Sequence, residues 1–248
     1  MRGICGWFSN ERIGDGEETL RRMIAAHHGA ATDPESKTMP QAGLSIFGAV
    51  ARPSLLEVDG YLLAAIGHPR LRGADRATGN LLELARRLRA GGKEALSTLG
   101  GDFAVASWDS RSGRGLLAVD RTGVHPLMYA QAPSSLVFGS TLDMLFGHPG
   151  VQRRLSAQGT FDYLYYHVCP GPGTIYEGAR RLLPGECVEF DSRTDSSTVS
   201  GTLSRVRSPP ARTFSIGFEC SWLRRDPIRT NRGEALRDRA SRVLRDAE

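Results

Sequence analysis

The sequence predicts an α+β fold, and three observations predict it. Apolar runs of strand length recur along the first 190 residues, bounded by Gly, Asn, Asp or Ser. Amphipathic helical stretches sit among clusters of these runs and do not alternate with them one for one. The composition, 40% hydrophobic and 24% charged over 248 residues, lets the chain bury a large core without disulfides or metals.

Residues 3–8 read as the first strand, closed by Ser9-Asn10. A helix follows, with Leu20, Met23, Ile24 and His27 at i, i+3, i+4 and i+7, Asp15, Glu17 and Glu18 near its start and Gly29 at its end. Residues 43–50 and 60–66 read as buried strands. In the second helix Leu81, Leu84, Ala85 and Leu88 form one apolar face, Asn80 stands as N-cap, and Gly91-Gly92 stop it, with a short helix over 93–98. Strand-like runs follow at 102–108, 114–119 and 135–139, the first two joined by a hairpin loop over 109–113. Residues 158–166 read as a helix carrying Phe161, Leu164 and Tyr165 at i, i+3 and i+4. Cys169-Pro-Gly-Pro-Gly173 is a rigid turn, and 185–190 is the last strand.

The net charge is +5, from 32 Lys+Arg against 27 Asp+Glu. Only Lys37 and Lys93 are lysines, and no basic stripe interleaved with aromatics crosses the first 190 residues, so nucleic acid is not indicated. The four cysteines, Cys5, Cys169, Cys187 and Cys220, show neither a metal-ligand spacing nor a redox pair. A reducing, cytoplasmic setting is expected, and no apolar run reaches signal-peptide or membrane-spanning length.

After Phe190 the chain turns to Ser, Thr, Arg and Pro without apolar periodicity. One domain is expected over 1–190, a linker over 191–212, and an Arg-rich tail, disordered or partly helical, over 220–248.

Six motifs then fall in order. Met1-Arg-Gly-Ile-Cys-Gly-Trp-Phe8 opens the chain. Leu99-Gly-Gly-Asp-Phe-Ala-Val-Ala-Ser-Trp-Asp109 and Asp120-Arg-Thr-Gly-Val-His-Pro-Leu-Met-Tyr129 come next, then Phe138-Gly-Ser-Thr-Leu-Asp-Met-Leu145, Gly173-Thr-Ile-Tyr-Glu-Gly178 and Arg181-Leu-Leu-Pro-Gly-Glu186. Together they resemble the N-terminal class II glutamine amidotransferase domain of the glutamine-hydrolysing asparagine synthetase family. The resemblance implies the four-layer α/β/β/α sandwich of N-terminal-nucleophile hydrolases. Thr213–Glu219 resembles a remnant of the start of that family's ATP-binding domain, but the pyrophosphate-cradling Ser-Gly-Gly-Leu-Asp-Ser loop is not found upstream; Val199-Ser-Gly-Thr-Leu-Ser204 lacks its second Gly and its Asp. A deletion or frameshift would give this pattern. ATP and Mg would belong to that synthetase domain, and no cofactor or metal is expected in this chain.

In the family an N-terminal Cys attacks the glutamine amide and its own α-amino group acts as base, while nearby donors hold the oxyanion. The resemblance puts Arg2 at the nucleophile position. Arg is always charged and cannot attack a carbonyl. Ile66 stands where the family has its oxyanion-hole Asn, although the following Gly67 survives. Asn80 replaces the Asp that pairs with the glutamine ammonium, and Arg52 is the nearest candidate for the family Arg. Cys5 is the alternative thiol, but side chains alternate along a strand, so positions 2 and 5 face opposite sides. No catalytic residue is expected intact; Gly67, Asn80 and Arg52 are relics of a substrate site.

Other polar groups have structural explanations. His27 lies on the apolar helix face, and adjacent His28 diverges from it. His125 suits a structural hydrogen bond in its turn, Asp109 and Asp120 suit turn caps, and Tyr163, Tyr165 and Tyr166 suit a half-buried helix face rather than a stacking platform. The expected function is a degenerate glutaminase-like domain acting as scaffold for, or truncated from, an ATP-dependent amide-forming synthetase. The alternatives are an active amidotransferase supplying ammonia for asparagine synthesis and an amino-acid-binding module. Expected partners are glutamine or another amino acid in a relic pocket, and a homodimer mate or a separate synthetase chain, with neither nucleic acid nor membrane.

Overall fold

The structure, a computed structural model, describes residues 3–27, 34–48, 54–71, 81–194 and the backbone of 196–201. Two six-stranded sheets stack face to face. The first runs in the order β12 (Ala179–Arg181), β10 (Met128–Ala132), β11 (Ser135–Gly139), β1 (Gly3–Ser9), β3 (Ala42–Phe47) and β2 (Glu35–Met39). The second runs β14 (Ser196–Gly201), β13 (Glu186–Asp191), β9 (Arg114–Val119), β8 (Phe103–Asp109), β5 (Tyr61–Gly67) and β4 (Leu55–Val58). The short strands β6 (Arg70–Leu71) and β7 (Leu99–Gly100) pair with each other. Every described pairing is antiparallel.

The alternation of strand side chains sorts the core into three apolar layers. Ile4, Phe8, Leu44, Ile46, Ile66, Trp108, Phe138 and Phe190 fill the space between the sheets. Cys5, Trp7, Phe47 and Val137 point to the outer face of the first sheet, against Leu20 and Met23 of α1 (Gly16–Ala25) and Met144 and Leu145 of α3 (Leu142–Phe146). Leu63, Ala65, Val105 and Ala118 cover the outer face of the second sheet, against Leu84, Ala85 and Leu88 of α2 (Leu81–Ala95). The layer order is therefore α/β/β/α.

The helix ends follow local chemistry. The Asp15 side chain accepts from Glu18 N and caps α1. Residues 93–95 are assigned to α2, but Gly92 has φ 52° and ψ −133°, so the helix breaks at the glycine pair; a 3-10 turn over Leu96–Thr98 completes the predicted short helix. Gly29 and His28 lie outside the described residues, and so does Asn80 at the start of α2.

Three expectations need correction. First, β2, β4, β6, β7, β10 and β12 appear where no strand was predicted. The sequence of β2, Glu-Ser-Lys-Thr-Met, has no buried face to betray it. It is an edge strand paired to β3, and Lys37 on it meets Glu57 of β4 at 3.6 Å, tying the two sheets along one flank. Secondly, the domain does not end at 190: β14 adds a strand to the second sheet within the stretch assigned to the linker, with Gly201 opposite Glu186. Thirdly, α4 (Ala157–Tyr166) buries only Gly159 and Thr160, so its tyrosines are exposed rather than half-buried. The rest of the linker, Thr213–Glu219 and the Arg-rich tail lie outside the described residues.

Asp120 secures the turn from β9 towards β10. Its Oδ2 accepts from Phe103 N at 3.1 Å, and its Oδ1 from Thr122 N at 2.6 Å, Gly123 N at 3.1 Å and the Thr122 hydroxyl. Burial by itself would raise this carboxyl; the Thr122 hydroxyl and the three backbone N–H groups outweigh it and hold the pKa below the ordinary value. Asp120→Asn turns an amide NH2 towards one of these donors, and it is expected to lower unfolding stability by about 2 kcal/mol. The folded carboxyl titrates below the unfolded one, so its contribution is complete above about pH 4 and is lost as pH falls through the folded value. Urea midpoints measured from pH 6 down to pH 3 should therefore fall more steeply for the wild type than for the variant.

Candidate functional site

The candidate site lies where β1 begins and β5 ends. The start of β1 is fixed by Ser140, just after β11: Ile4 N donates to Ser140 Oγ at 2.9 Å, and Ser140 N donates to Ile4 O at 2.8 Å. Gly3 is required here, because a Cβ would stand 2.1 Å from the Phe47 ring. Ile4 pairs with Ile46 and points between the sheets; Cys5 pairs with Ser45 and Gly139 and points into the helix layer. Arg2 itself lies outside the described residues, as do Arg52 and Asn80.

Cys5 is completely buried among apolar side chains, and burial pushes its thiol up to about 12. At neutral pH it carries its proton, so it is neither exposed nor a thiolate. Cys187 is buried in the layer beneath α2. Cys169 is partly exposed, but its Sγ–H contacts Gly159 O at 3.3 Å in the segment after α4. Burial and, to a smaller extent, Asp162 raise its pKa.

At the other side of the site, Ile66 is 4% exposed and belongs to the apolar layer between the sheets, so it offers no side-chain donor there. Gly67 has φ 85°, and a Cβ on it would lie 2.3 Å from Asp102 O and 2.7 Å from His125 Nε2. Around it the structure assembles a group that sequence spacing did not bring together. His68 Nδ1 lies 3.3 Å and His125 Nε2 3.1 Å from the same Asp102 Oδ2, and His68 N donates to Asp102 O at 2.6 Å. Burial would raise the Asp102 carboxyl, but the hydrogen bonds from His125 and His68 prevail and hold it below its usual value. This hydrogen-bonding role is the one expected for His125. The only signal for the group in the sequence is that His68 directly follows the surviving glycine, while Asp102 is 34 positions further on.

Asp102, Asp109 and Asp120 serve separate groups and form no carboxylate cluster. Asp102 serves the two imidazoles, Asp109 accepts from Arg89 and from Arg111 N, and Asp120 serves its own turn.

A family model described as a glutamine amidotransferase domain matches residues 76–199, half of the chain. The chain belongs to this amidotransferase family. Asparagine synthetase [glutamine-hydrolyzing] 3 of Bacillus subtilis is 30% identical over 130 residues, covering 47% of this chain and 21% of that protein. Asparagine synthetase [glutamine-hydrolyzing] 2 of the same organism is 36% identical over 56 residues, 23% of this chain and 8% of that protein. The chain thus spans about a fifth or less of these relatives. The glutamine phosphoribosylpyrophosphate amidotransferase of B. subtilis, at 14% identity, superposes with a TM-score of 0.47 over 82% of this chain and 49% of that one. This chain is therefore a glutamine amidotransferase domain related to asparagine synthetase, and its layers follow the expected sandwich. Among the described residues no helix is long and apolar enough to cross a membrane.

The close approach at Gly67 gives a local prediction. Gly67→Ala forces a methyl group into Asp102 O at a positive φ and is expected to lower stability by about 2 kcal/mol in denaturant unfolding. Gly100→Ala, whose methyl would meet nothing nearer than 3.9 Å, is the control and should stay within about 0.5 kcal/mol of wild type.

Proposed function

We propose that this amidotransferase domain does not hydrolyse glutamine and serves as a scaffold for an ATP-dependent amide-forming synthetase that draws its nitrogen from another donor. The observation that carries this reading is the parity of β1. Ile4 faces the space between the sheets and Cys5 faces away, while the resemblance assigns the nucleophile to position 2, and that residue is Arg2. A guanidinium is neither nucleophile nor base at any working pH. The thiol of Cys5 is protonated, buried and on the wrong face.

Two further losses point the same way. The resemblance puts Ile66, a core side chain without a donor, at the position of the family's oxyanion-hole Asn. Asn80, in place of the ammonium-binding Asp, leaves the α-amino group of glutamine without a charged partner. What remains is what the fold needs: Ser140 bonded to the first strand, Gly67 against Asp102, and Asp120 in its turn. The scaffold role is drawn from the kinship with asparagine synthetases, which are much longer chains than this one. On this reading ATP and Mg belong to the synthetase part.

The test is glutamate release from glutamine by the purified full chain, beside Cys5→Ala. No release above background is expected from either protein. Release by the wild type that disappears in Cys5→Ala would establish the active amidotransferase instead. A rise in melting temperature on adding glutamine, without turnover, would establish an amino-acid-binding module.

A further inference from the structure

The most unusual surface of the molecule is α4 with the residues just beyond it. Tyr163, Leu164, Tyr165, Tyr166 and Val168 are between 37% and 59% exposed, and they account for five of the six large apolar side chains exposed among the described residues. They are consecutive but for His167, which turns the chain through a left-handed C-cap with φ 58°. The aromatic rings already order one another: Phe161 and Tyr165 stack with centroids 6.0 Å apart, and Tyr166 meets Tyr165 edge-on at 4.7 Å. Such a contiguous apolar patch marks a surface meant to be covered.

The fold leads the chain towards this surface. Gly201, the last residue of β14, lies opposite Glu186. Glu186 Oε2 accepts from Leu183 N at 2.8 Å, and Leu183 packs so tightly on Gly171 that a Cβ there would lie 2.7 Å from Leu183 Cδ2. Gly171 belongs to the rigid turn directly after α4, so Gly201 lies on the side of the domain that carries the end of α4.

The sequence beyond Gly201 carries an apolar pattern of its own. Phe214, Ile216 and Phe218 alternate with Ser215 and Gly217, the period of a strand with one buried side, and Trp222-Leu223 come soon after. The stretch lies outside the described residues. Phe214 comes 13 positions after Gly201. An extended chain of that length reaches roughly 40 Å, ample for the return.

We infer that the segment Phe214–Leu223 docks on the exposed aromatic face of α4. The surface and its occupant are thus parts of one chain, joined by a tether that keeps the local concentration of the segment high.

Two native probes make this testable in the full chain. Trp7 and Trp108 are buried in the core, so Trp222 alone of the three tryptophans reports on the segment by acrylamide quenching. Cys5 and Cys187 are buried, so a short bismaleimide can bridge only Cys169, beside α4, and Cys220, within the segment. At dilute protein the bridge should form within one chain and be absent in Cys169→Ser. Tyr165→Asp, a change at an exposed site, should slow bridging by about tenfold and make Trp222 distinctly easier to quench. Bridging and quenching that are both unaffected by Tyr165→Asp would overturn the inference. So would a bridge that forms only between chains, which would make a second copy the occupant.

Discussion

The whole structure depends on the burial of β1 on both faces. It lies inside the first sheet, with β11 on one side and β3 on the other, and every residue from Gly3 to Ser9 is buried. Its even positions enter the layer between the sheets and its odd positions the layer beneath the helices. A slip by one residue would exchange Phe8 and Trp7 between two close-packed layers. The neighbours leave no room for that. A Cβ at Gly43 would lie 2.9 Å from the Trp7 ring and one at Gly16 3.1 Å, so two glycines on different elements form the seat of this indole. Phe8 stacks on Trp108 across the sheets at 5.5 Å. The register of the first strand is therefore set by packing, and the chemistry available at its start is set by that register.

The same packing logic explains several of the motif residues. Their side chains or glycines meet other parts of the fold: Ser140 closing on Ile4, Asp120 gathering three backbone donors, Gly67 in close approach to Asp102. Losing any of these would leave buried polar groups unpaired or force backbone apart. Ile66, next to Gly67, belongs to the apolar layer between the sheets.

Most interior elements were legible in the sequence because their apolar faces repeat with the period of the element. Residues 114–119 and 135–139 are strands with just those limits, and the break at Gly91-Gly92 is real. Edge strands were not legible. The sequences of β2 and of β14, Ser-Ser-Thr-Val-Ser-Gly, carry little apolar pattern and are strands because a neighbour offers them a hydrogen-bonding edge. The strand β10 was hidden behind the turn motif that leads into it. At the site, sequence order identified Gly67 and the parity of Cys5, because both obey local backbone rules. It did not find the contact of His68 and His125 with Asp102, because that depends on three segments meeting in space. The exposure of the α4 tyrosines was missed for a related reason: a helical pattern says which residues share a face, not whether anything lies over it.

The charged flank formed by Lys37 and Glu57 bears on how the protein can grow into larger assemblies. A sheet edge is a template for another strand, and a bridging ion pair there is lost if a foreign strand is added. The opposite flank of the first sheet ends in β12, whose Arg180 and Arg181 are exposed. Adding a strand to the first sheet is thus opposed on both sides, by charge at β2 and by guanidinium groups at β12. Among the described residues the helical exterior carries no such charged edge, and its exposed apolar side chains lie on α4 and just beyond it.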